Sequence, residues 1–338
     1  MNTTAQAGAT RREVLAGMGM AGLGVAGLAA GLGAMGLPGV ARAIVPRGAE
    51  RRRVLRIAHL TDTHVQPERK GMEGMAACLR HAQSSHGTID LVLAGGDNVM
   101  DVMGNTRERG DVLRKAWTSV LSSECSAPVE SCVGNHDVWG WKKDKSKTTG
   151  SEALWGKKWA LDAYGLPAPY RHFDRNGWRF VLLDSTFPDT SGHSYTARLD
   201  DEQFAWLETT LRDTPAGTPV LVLSHIPIIC ACAMFDGDNE TSGDWKIPGA
   251  WMHTDARRIK DLFRKHPNVK VCLSGHIHLV DRVDYLGVTY FCNGAVSGGW
   301  WKGPYQECEP GYGLVDLYDD GSFENRYVTY GWTAADKD

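Results

Sequence analysis

Asp62-Thr63-His64, Gly95-Gly96-Asp97-Asn98, Gly134-Asn135-His136-Asp137, Ser224-His225 and Gly275-His276-Ile277-His278 set aspartate, asparagine and histidine in short clusters along one chain. Carboxylate, amide oxygen and neutral imidazole are ligands for hard or borderline metal ions, and no thiol falls inside any cluster. Taken singly each cluster is weak evidence. A buried Asp after a strand is often a cap, and a lone His225 is more often a satisfied core residue. Together they amount to the donor set of a two-metal hydrolase.

Each cluster ends an apolar run. Residues 54–60, 89–94 and 129–133 read as strands, with helical spacing over 72–85 and 107–121 between them. This β-α-β-α-β alternation predicts parallel strands, and open α/β sheets carry their sites on the loops beyond strand C-termini. Residues 178–184, 219–224 and 269–274 continue the strand pattern, with a helix over 200–211 and another from a cap at Thr254 or Asp255 to Lys265. Residues 280–283, 288–292 and 313–318 predict a closing antiparallel meander. Segments 139–175 and 230–249 lack a regular pattern and directly follow metal clusters, so both are expected to hang over the site. Within the second, Asp236-Gly237-Asp238-Asn239 reads as a solvated turn, because it is an incomplete calcium loop.

In order, the five motifs resemble those of the calcineurin-like metallophosphoesterases, D-x-H, G-D, G-N-H-(D/E), H and G-H-x-H, over residues 54–331. The nearest likeness is to the class III cyclic-nucleotide phosphodiesterases and glycerophosphodiesterases. Periodicity alone supports an α/β class. The resemblance implies a four-layer α/β/β/α sandwich of two mixed β-sheets, with the site at their common edge. It further implies that Asp62, His64 and His278 hold one metal, that Asn135, His225 and His276 hold the other, and that Asp97 bridges the two. The ions would be divalent or trivalent, of the iron, zinc or manganese kind, clamping a phosphate and supplying a bridging hydroxide for attack. The spacing of His276 and His278 would put both on one side of an extended segment.

By the same resemblance His136 is not a ligand but faces the leaving oxygen, to protonate it or stabilise its charge. Asp101 or Asp137 would orient it. Asp101 stands one residue later than the commoner G-D-x-x-D spacing, since Met100 occupies that place. The implied reaction is hydrolysis of a small organic phosphodiester, with cyclic nucleotides as the nearest analogy. A phosphomonoesterase or nucleotidase scavenging phosphate is the alternative. A non-catalytic scaffold of the same fold is a third reading, against which the intact ligand set and His136 speak. For the substrate, Trp300 and Trp301 can stack on a base or sugar, while Lys302 or Arg171 can meet a phosphate oxygen. Core packing is the competing reading for both tryptophans. His193 and His253 are also within possible reach of the pocket.

The first 43 residues read as a twin-arginine signal peptide: Arg11-Arg12, an uncharged Gly-, Ala-, Leu- and Met-rich stretch, then Ala41-Arg42-Ala43 as the cleavage site. Residues 44–53 would be a linker, 54–331 the metallophosphoesterase domain and 332–338 a tail. Partnership with the twin-arginine export machinery, and a periplasmic or extracellular location, follow from that leader. Retaining it would instead anchor the protein in the membrane. With 37 Lys and Arg against 40 Asp and Glu and no basic stripe, a nucleic-acid polymer is not an indicated partner. The eight cysteines show no disulfide framework, and Cys230-x-Cys232 lacks the second cysteine pair that a zinc site would need.

Overall fold

In β1 (Arg53–Leu60), Leu55 and Ile57 point to one face while Ala58 and Leu60 point to the other, and all four are buried. A strand apolar on both faces must lie inside a layered structure. The computed structural model describes residues 51–189 and 194–334. The stretch expected to be a signal peptide, His193 and residues 335–338 lie outside the described residues.

After β1 come α1 (Gly71–Ser85), β2 (Leu91–Ala94), α2 (Arg107–Glu124), β3 (Val129–Ser131), α3 (Lys143–Ser146), α4 (Lys157–Tyr164), β4 (Arg171–Arg175) and β5 (Trp178–Leu183). The chain continues through β6 (Thr186–Pro188), β7 (Tyr195–Ala197), α5 (Asp201–Arg212), β8 (Val220–Ser224), α6 (Ala256–Lys265), β9 (Val269–Ser274), β10 (Val280–Tyr285), β11 (Val288–Asn293), β12 (Gly311–Tyr318) and β13 (Phe323–Thr329).

Two mixed sheets result, ordered β13-β12-β1-β2-β3 and β10-β11-β9-β8-β5-β4. β1, β2 and β3 run parallel, as do β5, β8, β9 and β11, while the outer strands pair antiparallel. The sheets face each other across a core in which Leu55, Ile57, Leu91 and Leu93 of one meet Phe180, Leu182, Leu221 and Leu273 of the other. α1, α2 and α4 cover the outside of the first sheet through Met75, Leu79, Leu113, Trp117 and Trp159. α5 and α6 cover the second through Phe204, Leu207, Ile259 and Phe263. This is the expected four-layer α/β/β/α arrangement.

Three local expectations are corrected and one strand, β13, is added. The closing strands are not one meander: β10 and β11 finish the second sheet, whereas β12 crosses to pair with β1 and brings β13 with it. β13 alternates half-buried and exposed positions at a sheet edge, which leaves a weak apolar signal. Segment 139–175 is not irregular, since it contains α3, α4 and β4. Trp139 and Trp159 are buried in the helical layer and Trp141 packs against it. Asp255 precedes α6 but does not cap it with its side chain. Its carboxylate instead accepts from Leu199 N at 3.0 Å and pairs with His253 at 2.9 Å.

Candidate metal centre

All the metal clusters of the sequence sit on turns just past the C-terminal ends of parallel strands: Asp62 and His64 after β1, Asp97 after β2, Asn135 after β3, His225 after β8, His276 and His278 after β9. These turns are tight. Asp62, His64, Asp97, His276 and His278 all have positive φ, between 41° and 69°. For non-glycine residues this left-handed geometry costs roughly 1–2 kcal/mol apiece, and such strain gathers at functional sites. It also corrects the expectation of an extended His276-Ile277-His278. Gly96 meets the same demand with φ 91°. At Gly275 close approach is the reason for glycine: a Cβ would collide with Thr61 Oγ1 and Asp62 Oδ2.

Asp62, His64 and His278 bring one donor atom each to within 4.8 Å of one another, and so do Asp97, His225 and His276. Asn135 Oδ1 lies 3.2 Å from His225 Nε2 in the second group. Asp97 Oδ2 stands between the groups, 3.2 Å from His225 Nε2 and 3.8 Å from His64 Nε2.

Backbone carbonyls decide which imidazole nitrogen faces inward. Nδ1 of His64, His225 and His278 donates to the carbonyls of Met100, Gly95 and Gly298, at 3.3, 2.9 and 2.5 Å. His276 is reversed: its Nε2 donates to Ala250 O at 2.9 Å, leaving its buried Nδ1 without a partner. Such outer contacts commonly fix the tautomer of metal-bound histidine. The inward nitrogens of His64 and His278 then oppose each other as two lone pairs 3.2 Å apart, and buried Asp62 Oδ1 has no hydrogen-bond partner. Converging acceptors without a donor need a cation between them. The residues therefore fit metal ions of the carboxylate–imidazole class.

The electrostatics agree. Burial pushes the His64 and His276 imidazoles down to about 3, so they are neutral at ordinary pH. For His225 burial is outweighed by the charges of Asp97 and Asp62, which hold it near 9. A proton there does what a metal ion would do, offsetting the carboxylates. Asp97 is held well below the usual carboxylate range: burial opposes this, but His225 and His136 overcome it.

His136 belongs to neither group. It lines the pocket with its side chain 30 % exposed, Nε2 4.0 Å from Asp97 Oδ2 and Nδ1 3.3 Å from Asp101 Oδ1. The latter is an ion-pair distance that misses hydrogen-bond geometry. Burial lowers its basicity, but Asp97 and Asp101 prevail and raise it to about 9. Asp101 is itself anchored by Met103 N at 3.0 Å and Asn105 Nδ2 at 3.0 Å. Asp137 is placed differently from expectation. Its carboxylate accepts from Gly134 N at 2.9 Å, Asn98 N at 3.1 Å and the Tyr164 hydroxyl at 2.6 Å. It ties the second cluster to the third and does not orient His136 through a hydrogen bond.

Over the two groups lies a pocket of about 430 Å³. Trp300 lines it, with its ring 4.5 Å from that of His278. Trp301 does not: it is buried among the helical layer, where its Nε1 donates to His64 O at 2.9 Å. Lys302 is exposed and outside the lining. Arg171 is also outside it, because its guanidinium pairs with Glu130 of β3 at 2.6 Å. His253 is engaged by Asp255 and by Ser224 Oγ at 3.3 Å, away from the pocket. Sequence reasoning missed Tyr195, Trp251, Tyr305 and Gln306, and read Asp236 and Gly237 only as a turn, yet all six line the pocket. The one available signal was the position of segment 230–249, which does form a wall, whereas segment 139–175 contributes nothing to it. Among the described lining residues none is Lys or Arg.

A family model described as calcineurin-like phosphoesterase matches residues 55–280. Among curated proteins, the chain is 25% identical over 287 residues to a 3′,5′-cyclic-nucleotide phosphodiesterase of Nostoc sp., covering 80% of this chain and 90% of that one. It is 26% identical over 241 residues to the 3′,5′-cyclic adenosine monophosphate phosphodiesterase CpdA of Escherichia coli, covering 69% of this chain and 73% of that one. Among solved structures, a dimetal phosphatase from Danio rerio superposes with a TM-score of 0.53 at 17% identity, covering 83% of this chain and 100% of that one, which is a likeness of fold.

Proposed function

The chain belongs to the calcineurin-like phosphoesterase family and is a phosphoric ester hydrolase, and from that premise we propose that it uses two metal ions to cleave small organic phosphodiesters, a 3′,5′-cyclic nucleotide being the nearest analogue. The observation that carries this reading is Asp97 Oδ2, set between two buried donor groups with His136 beside it in the pocket. Asp62, His64 and His278 would hold one ion, Asn135, His225 and His276 the other, and Asp97 both. When bound, the pair supplies positive charge at the phosphate and a nucleophilic water at neutral pH.

The chain's own residues do the rest. His136 presents Nε2 to the pocket and has Asp101 behind Nδ1, so it can deliver a proton to the departing alkoxide. Trp300 offers a ring face to the organic part of the ester. The lack of Lys or Arg among the described lining residues favours a diester, with its single negative charge, over a monoester dianion or a polyphosphate. The test is turnover of bis(p-nitrophenyl) phosphate, p-nitrophenyl phosphate and cyclic AMP after adding metals back to the stripped protein. Faster diester cleavage supports the proposal. A clear preference for the monoester would replace it with phosphate scavenging, and inactivity on all three would favour a binding scaffold.

A further inference from the structure

Folding adds to Cys230-x-Cys232 what the sequence lacks. Cys292, on β11, is buried in the same apolar cluster as Cys230 and Cys232. Asp281, on β10, is the register partner of Cys292. The sulfurs of Cys230 and Cys232 and a carboxylate oxygen of Asp281 lie within 4.8 Å of one another, and all three thiols are buried. We propose that Cys230, Cys232, Cys292 and Asp281 form a structural zinc site, separate from the phosphoesterase centre.

Three features carry the inference. The first is charge. Among the described residues Asp281, half-buried beside the sulfurs of Cys230 and Cys232, has no Lys, Arg or His partner. The second is geometry. Zn–S bonds of about 2.3 Å in a tetrahedron put ligand atoms about 3.8 Å apart, within the observed limit. The third is organisation of the outer contacts. Asp281 Oδ2 accepts from Ala231 N at 2.6 Å and Cys232 N at 2.8 Å, which fixes the Cys-x-Cys turn. Oδ1 makes only a 3.3 Å contact with Cys292 N and keeps lone pairs for a metal. Buried cysteines often serve as small apolar side chains. That reading suits Cys78 and Cys272, which sit in the helix-facing cores. It does not explain the two sulfurs of a Cys-x-Cys turn converging on a carboxylate.

Loading would release the thiol protons to solvent, as metal binding to cysteine does. The ion would clamp the turn that leads into the pocket wall at Asp236. It would also brace the metal loop of the phosphoesterase centre, because Ile277 packs in the same cluster.

Cobalt tests this without reference to activity. The phosphoesterase centre has no sulfur ligand, so a thiolate-to-cobalt charge-transfer band reports only this site. The full chain, reduced and stripped of metal, is titrated with Co²⁺. The band should saturate within the three equivalents that this site and the two-metal centre take up together, and Zn²⁺ should bleach it. Cys232→Ser should remove the band and Cys78→Ser should keep it. Asp281→Asn, a milder change, should weaken Co²⁺ binding at least tenfold if the cysteine variant does not fold. Absence of the band in the reduced wild-type chain, or its survival in Cys232→Ser, overturns the site. So does a thiol count that shows two of these cysteines joined as a disulfide that, once reduced, yields no band.

Discussion

The Trp301 indole Nε1 donates to the backbone carbonyl of His64 across 2.9 Å, tying the turn after the last histidine motif to the first metal loop. Both residues hold left-handed backbone, with φ of 69° and 41°. The bond thus holds a strained candidate ligand in place from a residue outside the pocket lining.

Trp301→Phe keeps most of the ring but leaves a buried carbonyl unpaired, a loss of about 1–3 kcal/mol. The urea midpoint of the metal-free chain should fall accordingly, and competitive chelation should show weaker metal retention. An unchanged midpoint would count against this role.

Trp300 and Lys302 should behave oppositely, although they are near neighbours in sequence. Trp300 lines the pocket and Lys302 is exposed outside it. Trp300→Ala should raise KM for an organic phosphodiester about tenfold, in line with the ~1–3 kcal/mol that stacking on an aromatic side chain contributes. Lys302→Ala should leave KM within about twofold, since a surface substitution of this kind changes energies by only ~0.5 kcal/mol. Steady-state kinetics on the same diester compares the two.

Asp97→Asn removes the one anionic oxygen positioned between the donor groups. Metal content and turnover should both collapse, because an amide neither bridges as well nor offsets the stacked positive charge. Elemental analysis of the purified variant measures this, and two ions retained at the phosphoesterase centre would refute the bridging role.

His136→Ala should leave metal content near wild type and lower kcat by about 10²–10⁴, the usual share of general acid catalysis. An alkyl leaving group should suffer most and p-nitrophenolate least, since the latter departs with little help. Equal losses for the two leaving groups, or a lost metal, would move His136 into binding or coordination.

We propose that Arg11 and Arg12 are read by the export machinery. Replacing both with lysine should hold the protein in the cytoplasm, as followed by cell fractionation. Unimpaired export would sink the twin-arginine assignment.

Much of the site was legible in the chain because metal coordination demands particular atoms at strand ends. Asp62, His64, Asp97, Asn135, His225, His276 and His278 are identifiable by type and by the apolar run before each. The alternating strands and helices likewise specify an α/β class, because apolar periodicity reports which face of an element is buried. It does not report which element lies opposite. Tertiary structure alone took β12 across to β1, and so split the expected meander between two sheets. It turned Asp137 away from His136 toward Asn98 and Tyr164, which no local pattern encodes. It also raised the pocket wall from Tyr195 of β7, Asp236 and Trp251 of the connection between β8 and α6, and Tyr305 beyond β11, residues with no shared spacing. The left-handed φ angles at five candidate ligands depend on it too, since strain of that size persists only where the packing and hydrogen bonds around each turn outweigh it.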